Sequence, residues 1–340
     1  MDFPNNIKKP FLLFLAFFFC LSCGHSKNNE LLQTMDKIVS VIESSLIIAE
    51  RNAENLDNVT EVLLLTSENY NLNISSMDES TGGNYRFFNN TQYYKFKNDG
   101  KAAIATSGFV PVNDDIKKKM LLLENTQTEM IKAQKLTPFS AQSWIMTGDP
   151  IALTYPYKDL MSGIKPKLDM RQMFWWNMIS EKNNPEKKVM WSPEPYGSLV
   201  GNGWIIMAIS PIYTEKGFIG GASVDIRIKD LADSTISNKD EILMLVSQKS
   251  LVISKSLGAT IFSDINEVGL IYYLDQLSNH PVTNEEYKLS SQKNSPELRK
   301  LAENIQSTKP FDFEYKGKRF KCYSKKLKGP DLYLLGFIEE

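Results

Sequence analysis

Histidine and cysteine are scarce in these 340 residues: two of the first, His25 and His280, and three of the second. So few histidines leave little room for a histidine-rich metal site or a Ser-His-Asp triad. Three cysteines cannot staple a chain of this length. An excess of either charge sign is missing too, since 39 basic against 40 acidic side chains give a net charge of −1. A nucleic-acid binder needs a basic field to displace counterions, so that class is set aside. No G-x-G-x-x-G, P-loop, G-x-S-x-G elbow or H-E-x-x-H occurs, and no cofactor or metal is expected. What is present is apolar side chain, 42% of the total with 11% aromatic. That suffices for the cores of about two globular units at roughly 150 residues each.

No apolar run reaches the ~20 residues that a helix needs to span a bilayer. The longest, Phe11 to Leu21, follows Lys8 and Lys9, and its length and flanks match a secretory signal peptide. Cys20-Leu21-Ser22-Cys23-Gly24 then resembles a bacterial lipoprotein cleavage box, with Cys20 in place of the usual aliphatic residue. Cleavage before Cys23 would remove residues 1–22 and leave a lipidated cysteine on an extracytoplasmic, membrane-anchored chain. Cys322 would be the remaining thiol, so no internal disulfide is expected. Soluble secretion through an ordinary signal peptide is the alternative.

After a polar tether, Gly24 to Asn29, apolar residues recur at alternating spacings of three and four: Leu32, Met35, Val39, Ile42, Leu46, Ala49, Ala53 and Leu56. This heptad seam predicts a long helix. It serves either a homodimer through the Leu32–Leu56 helix or a globular domain leaning on it. Strands are predicted at Tyr85–Phe88 and Gln92–Phe96, then one amphipathic helix over Asp114–Lys135 capped at Asn113-Asp114. Strands flank the Gly148-Asp149-Pro150 turn, a tryptophan-bearing helix begins near Met173, and two long strands close the unit at Trp204–Ile209 and Phe218–Ile226. A connecting helix, Lys229–Thr235, leads to a smaller unit of strands with one helix at Pro296–Ile305. Runs of strands with helices to one side predict antiparallel α+β architecture. Lys316, Lys318, Arg319, Lys321, Lys325, Lys326 and Lys328 crowd the last hairpin, as a solvated face or as a patch for anionic partners.

Trp175, Trp176, Trp191, Tyr196 and Trp204 fall close together, and Asp225 interrupts the apolar strand Ile219–Ile226. A buried carboxylate is costly unless paired. Asp225 therefore either bonds nearby amides or meets the positive group of a ligand.

Three blocks resemble the extracytoplasmic double Cache sensor domain of bacterial receptors. Asp169-Met170-Arg171-Gln172-Met173-Phe174-Trp175-Trp176 is similar to that family's D-P-R-x-R-P-W-Y segment, and Trp191-Ser192-Pro193-Glu194-Pro195-Tyr196 to its W-S-x-P-Y segment. Ile209-Ser210-Pro211-Ile212-Tyr213 through Gly217–Ile226 is similar to its closing hairpin. The resemblance implies a long N-terminal helix followed by two PAS-like antiparallel-sheet lobes, with a small molecule bound in the first. It divides the chain into a leader (1–22), tether and helix (23–84), ligand-binding membrane-distal lobe (85–228) and smaller membrane-proximal lobe (229–340). It also implies ligand contacts from Asp225, Trp175, Tyr196, Trp176, Trp191 and Met173. Leu168, Met173, Trp176 and Ser198 depart from the residues that grip amino acids in family members. Met173 stands where those members carry an arginine, so the clamp for an α-carboxylate is lost. Aromatic walls with one carboxylate suit an amine-bearing, cationic or ring-containing ligand. The expected protein is a lipid-anchored sensor that acts through a membrane receptor or kinase partner, because the chain carries no output domain. A scaffold or adhesion lipoprotein with a degenerate pocket is the first alternative, and a carboxylate-dependent extracytoplasmic hydrolase the second.

Overall fold

The computed structural model describes residues 9–198, 203–269, 284–292 and 295–340, with side chains from Lys27 onward. Cys23, the apolar run before it, and His280 lie outside the described side chains. Helix α1 (Lys9–Leu65) continues through 24–29, where a tether was expected. Six of the eight predicted seam residues, Met35, Ile42, Leu46, Ala49, Ala53 and Leu56, are within 1% of full burial; at the N-terminal end Leu32 and Val39 are half-buried and their neighbours Leu31 and Ile38 are buried instead. They pack on the chain's own sheets. Of the two roles the seam could serve, this is the one in which a globular domain leans on the helix. Among the described side chains of α1, the large apolar ones left exposed are Val41, Ile47, Val62 and Leu65.

The first lobe is one antiparallel sheet. Its strands are β1 (Tyr85–Phe88), β2 (Gln92–Lys95), β3 (Ala103–Thr106), β4 (Ser140–Thr147), β5 (Ile151–Tyr155), β6 (Met190–Trp191), β7 (Tyr196–Gly197), β8 (Trp204–Thr214) and β9 (Gly217–Arg227). They run in the order β1-β2-β3-β5-β4-β9-β8-β6, with β7 also paired to β8. Between β3 and β4 the predicted single helix is two, α2 (Asp114–Glu124) and α3 (Gln127–Leu136). Asn113 caps α2 by accepting the Ile116 N–H at 2.9 Å. The break is local chemistry: Asn125 and Thr126 turn their side chains back to donate to the Leu121, Leu122 and Leu123 carbonyls.

Alternation along the strands sorts the sheet into two faces. Ile104, Ile145, Ile206, Ala208, Ala222 and Val224 meet α1, α2 and α3. Their neighbours Ala103, Ala105, Trp144, Met207 and Ile209 face the opposite way, beneath a segment of 157–198 that carries α4 (Phe174–Ile179). Gly221 lets α4 come close, since a Cβ there would lie 2.7 Å from Ile179.

Helix α5 (Ile228–Ile236) joins the lobes. The second sheet has the order β11-β10-β14-β13-β12, built from β10 (Ile242–Ser247), β11 (Val252–Lys255), β12 (Phe311–Tyr315), β13 (Lys318–Lys326) and β14 (Leu332–Glu339). Helix α6 (Pro296–Glu303), capped by Ser295, covers one face. Cys322 is buried as a free thiol. The basic hairpin is largely neutralised: Lys316, Lys318, Lys321, Lys325 and Lys326 pair with Asp264, Glu339, Asp312, Asp36 and Asp331.

Candidate functional site

Asp225 is fully buried on the face of β9 that looks toward α4. Register sets its surroundings: it stands across from Gln142 on β4 and from Met207 on β8. Gln142 Nε2 donates to Oδ2 at 2.7 Å, and Ser223 Oγ donates to Oδ1 at 2.9 Å. Trp144 Nε1 lies 3.0 Å from Oδ1 and 3.2 Å from Oδ2. Burial pushes the carboxyl up to about 6, against the pull of these three neutral donors. Among the described residues Asp225 makes no ion pair. At pH 7 it is therefore a buried anion without a cation.

An aromatic wall stands over it. Trp144 packs on Trp175 at a centroid distance of 5.2 Å, Trp175 on Trp176 at 5.7 Å, and Trp176 on Phe218 at 4.7 Å. Trp176 also lies over Gly148, where a Cβ would come within 2.8 Å of the indole. Tyr196 meets Phe174 edge-on at 5.4 Å, and its hydroxyl points to the Met207 sulfur at 3.7 Å. Burial and the charge of Asp225 hold that phenol well above its ordinary range, so it stays a neutral donor. Met173 is half-buried at the start of α4 and packs with this cluster. Arg171 points outward, held by Asp169 and stacked over Phe109 at 5.3 Å.

Five of the six expected contacts, Asp225, Trp175, Trp176, Tyr196 and Met173, thus share one face of the sheet with its covering segment. Trp191 does not. On β6, Met190 stands across from Ile209 and Trp191 across from Ala208, which turns the indole to the other face. There its Nε1 donates to Glu50 of α1 at 2.6 Å, and its ring lies over Gly329 of the second lobe. Trp191 is a brace between helix and lobes. Gln142 and Trp144 were missed as Asp225 partners because strand register, not sequence spacing, brings them there, whereas Ser223, two residues before Asp225 on β9, shares its face by alternation alone.

An antiparallel sheet with helices on one face and a buried polar group under an aromatic wall on the other defines a PAS-like sensor lobe. Residues 78–233 match the protein-family model of the first PDC sensor domain of methyl-accepting chemotaxis protein-like proteins. The first lobe is therefore a Cache-type sensor domain over the matched residues. The chain also resembles the sensory domain of the Campylobacter jejuni chemoreceptor Tlp3 (CcmL) with isoleucine bound, at 11% identity over 92% of this chain and 94% of that one, TM-score 0.44. The ligand-binding domain of the Pseudomonas aeruginosa PAO1 chemoreceptor PctB in complex with L-Arg aligns at 16% identity over 64% and 78%, TM-score 0.40. No curated protein matches the chain in sequence.

Proposed function

We propose that the protein is a lipid-anchored extracytoplasmic sensor whose first lobe binds an amine-bearing small molecule, with ring or apolar character, between Asp225 and the tryptophan wall. The observation that supports this is the buried Asp225 anion, held by neutral donors only. A ligand ammonium supplies the missing opposite charge, and Trp175 and Trp176 offer π-faces to it. With Arg171 turned outward onto Asp169, no cation for a carboxylate faces the cluster among the described residues. Anchoring through Cys23, output through a membrane receptor or kinase, and ligand contacts by Asp225, Trp175, Trp176, Tyr196 and Met173 are all parts of this reading. A ligand shifts the partner by binding its two states unequally.

Thermal unfolding of the chain against matched amines and carboxylates tests it. A ligand at about 100 times its Kd adds about 2.7 kcal/mol to stability, which raises Tm by roughly 4 °C at this size. Asp225→Asn removes the shift for amines. Stabilisation by carboxylates and never by amines sinks the reading. The bonds already made to Asp225 favour a second reading, a scaffold lipoprotein whose aromatic face is closed core. In that case no small molecule moves the Tm of either form. A hydrolase would need a second carboxylate acting on Asp225, and the groups that do so among the described residues are all neutral.

A further inference from the structure

On the far side of the sheet, α1 carries a stripe of carboxylates beside its buried seam. Glu50, Glu54, Asp57 and Glu61 follow at spacings of four, three and four, so they share one helical face. They line a groove of about 800 Å³, bounded opposite by 186–189 and at its floor by Ser210 and Tyr213 of β8. Acidic stripes on helices are usually solvated, but Asp57 is not. It is 8% exposed, its Oδ2 accepts from Ser210 Oγ at 2.9 Å, and its Oδ1 is buried with no donor, the Glu61 carboxylate lying close enough to share its proton. The Tyr213 hydroxyl is a second buried polar atom in the groove wall without a partner. A bulge between Ile212 and Tyr213 shifts the strand register there, and the Tyr213 N–H donates to Glu61 at 2.6 Å. Lys187 from the opposite wall rests its ammonium over the Tyr213 ring at 4.0 Å. The groove already receives one amine of the chain's own.

We propose that this groove is a second binding site, separate from Asp225, for a linear di- or polyamine whose ammonium groups sit against Glu54, Asp57 and Glu61. A rise of about 1.5 Å per residue puts Glu54 and Glu61 about 10 Å apart along the helix. An extended triamine such as spermidine reaches both ends at once, and a single ammonium does not. The central ammonium meets Asp57 Oδ1, and the Tyr213 hydroxyl accepts from the ligand.

Proton linkage gives the site a signature. Burial and the charges of Glu61 and Glu54 push Asp57 up to about 8, so in the free protein it is mostly protonated at neutral pH. The other charged groups lining the groove are Glu50 and Arg51 on α1 and Glu186, Lys187 and Lys188 on the facing segment. A bound ammonium replaces the Asp57 proton. Affinity therefore rises with pH, by up to about tenfold per unit below pH 8, and levels above it.

Isothermal titration of the full chain with spermidine, from pH 6 to 9, is the test. Wild type and Asp225→Asn bind alike, with affinity rising toward pH 8. Asp57→Asn flattens that rise, and the double variant Glu54→Gln/Glu61→Gln weakens binding at least tenfold. Lys187→Ala, which leaves the carboxylates in place, clears the Tyr213 ring and tightens binding, and it serves if the acidic variants do not fold. No binding at millimolar spermidine overturns the proposal, as does affinity indifferent to the double variant or to pH. Loss of spermidine binding in Asp225→Asn assigns the amine to the first site and overturns this one.

Discussion

Asp225 and Asp57 are carboxylates whose folded pKa lies above the ordinary 3.8, at about 6 and about 8. In each case the folded chain holds the proton longer than the unfolded one. Stability therefore falls as pH rises, between about 4 and 6 for Asp225 and between about 4 and 8 for Asp57, and each contribution is flat above its folded pKa. At about 1.4 kcal/mol per unit, the two together are worth several kcal/mol. Urea unfolding of wild type and Asp57→Asn at pH 5 and pH 8.5 checks the sign: the variant gains on wild type as pH rises. A variant that loses ground instead refutes the assignment. Trp144→Phe keeps most of the ring packing on Trp175 and removes one donor from Asp225. It costs about 1–3 kcal/mol, read as a lower urea midpoint, with Asp225 titrating higher still. Asp225 was legible in sequence because a charge interrupts an apolar strand. Its donors Gln142 and Trp144 were not, since they lie 83 and 81 positions away and only the β4–β9 register aligns them. Trp191 misled for a related reason, because its face depends on whether it or Met190 stands across from Ile209. By spacing Asp57 is one more polar residue beside a seam; it is the packing of β8, through Ser210, that buries it.

The elements followed from pattern more fully than the site did. Seam spacing predicted which side of α1 is buried, since a helix fixes faces within one element. What covers that side is a tertiary fact, and the answer is the chain's own sheets. Ile42→Asp separates the two meanings. A charge in that fully buried position has no partner and costs several kcal/mol. The expected result is a large drop in Tm and helical circular dichroism, with whatever stays folded eluting as wild type does. Dissociation into smaller folded particles with an unchanged monomer melt would favour the dimer seam. The split of the predicted Asp114–Lys135 helix has the opposite lesson: amphipathic spacing continues smoothly through it. The interruption comes from two side chains, Asn125 and Thr126, competing for helix carbonyls.

At the scale of the molecule, one core runs through both lobes. Ile145, Ile206 and Val224 of the first sheet join Leu243, Leu245, Leu332 and Leu334 of the second around the same face of α1. Polar ties cross the same boundary: Thr34 Oγ1 donates to Glu241 at 2.7 Å, and the Lys328 N–H to Glu43 at 2.8 Å. The Lys249 N–H donates to Glu194 at 3.1 Å. A second-lobe lesion should therefore be felt in the first lobe. Gly336 on β14 is a sharp place to make one, because a Cβ there would lie 2.6 Å from the Met35 sulfur and 3.2 Å from Leu31. Gly336→Val pushes α1 off the second sheet and costs about 1–3 kcal/mol by overpacking. All five tryptophans precede residue 228, and Trp144, Trp175 and Trp176 pack wholly within the first lobe, so indole fluorescence reports mainly on that lobe, whereas far-ultraviolet circular dichroism reports on both. If the core is one cooperative unit, Gly336→Val lowers the fluorescence midpoint and the dichroism midpoint by the same amount. An unmoved fluorescence midpoint beside an early dichroism transition would mean that the lobes unfold separately. A signal could then not pass from the ligand lobe to its neighbour through shared packing.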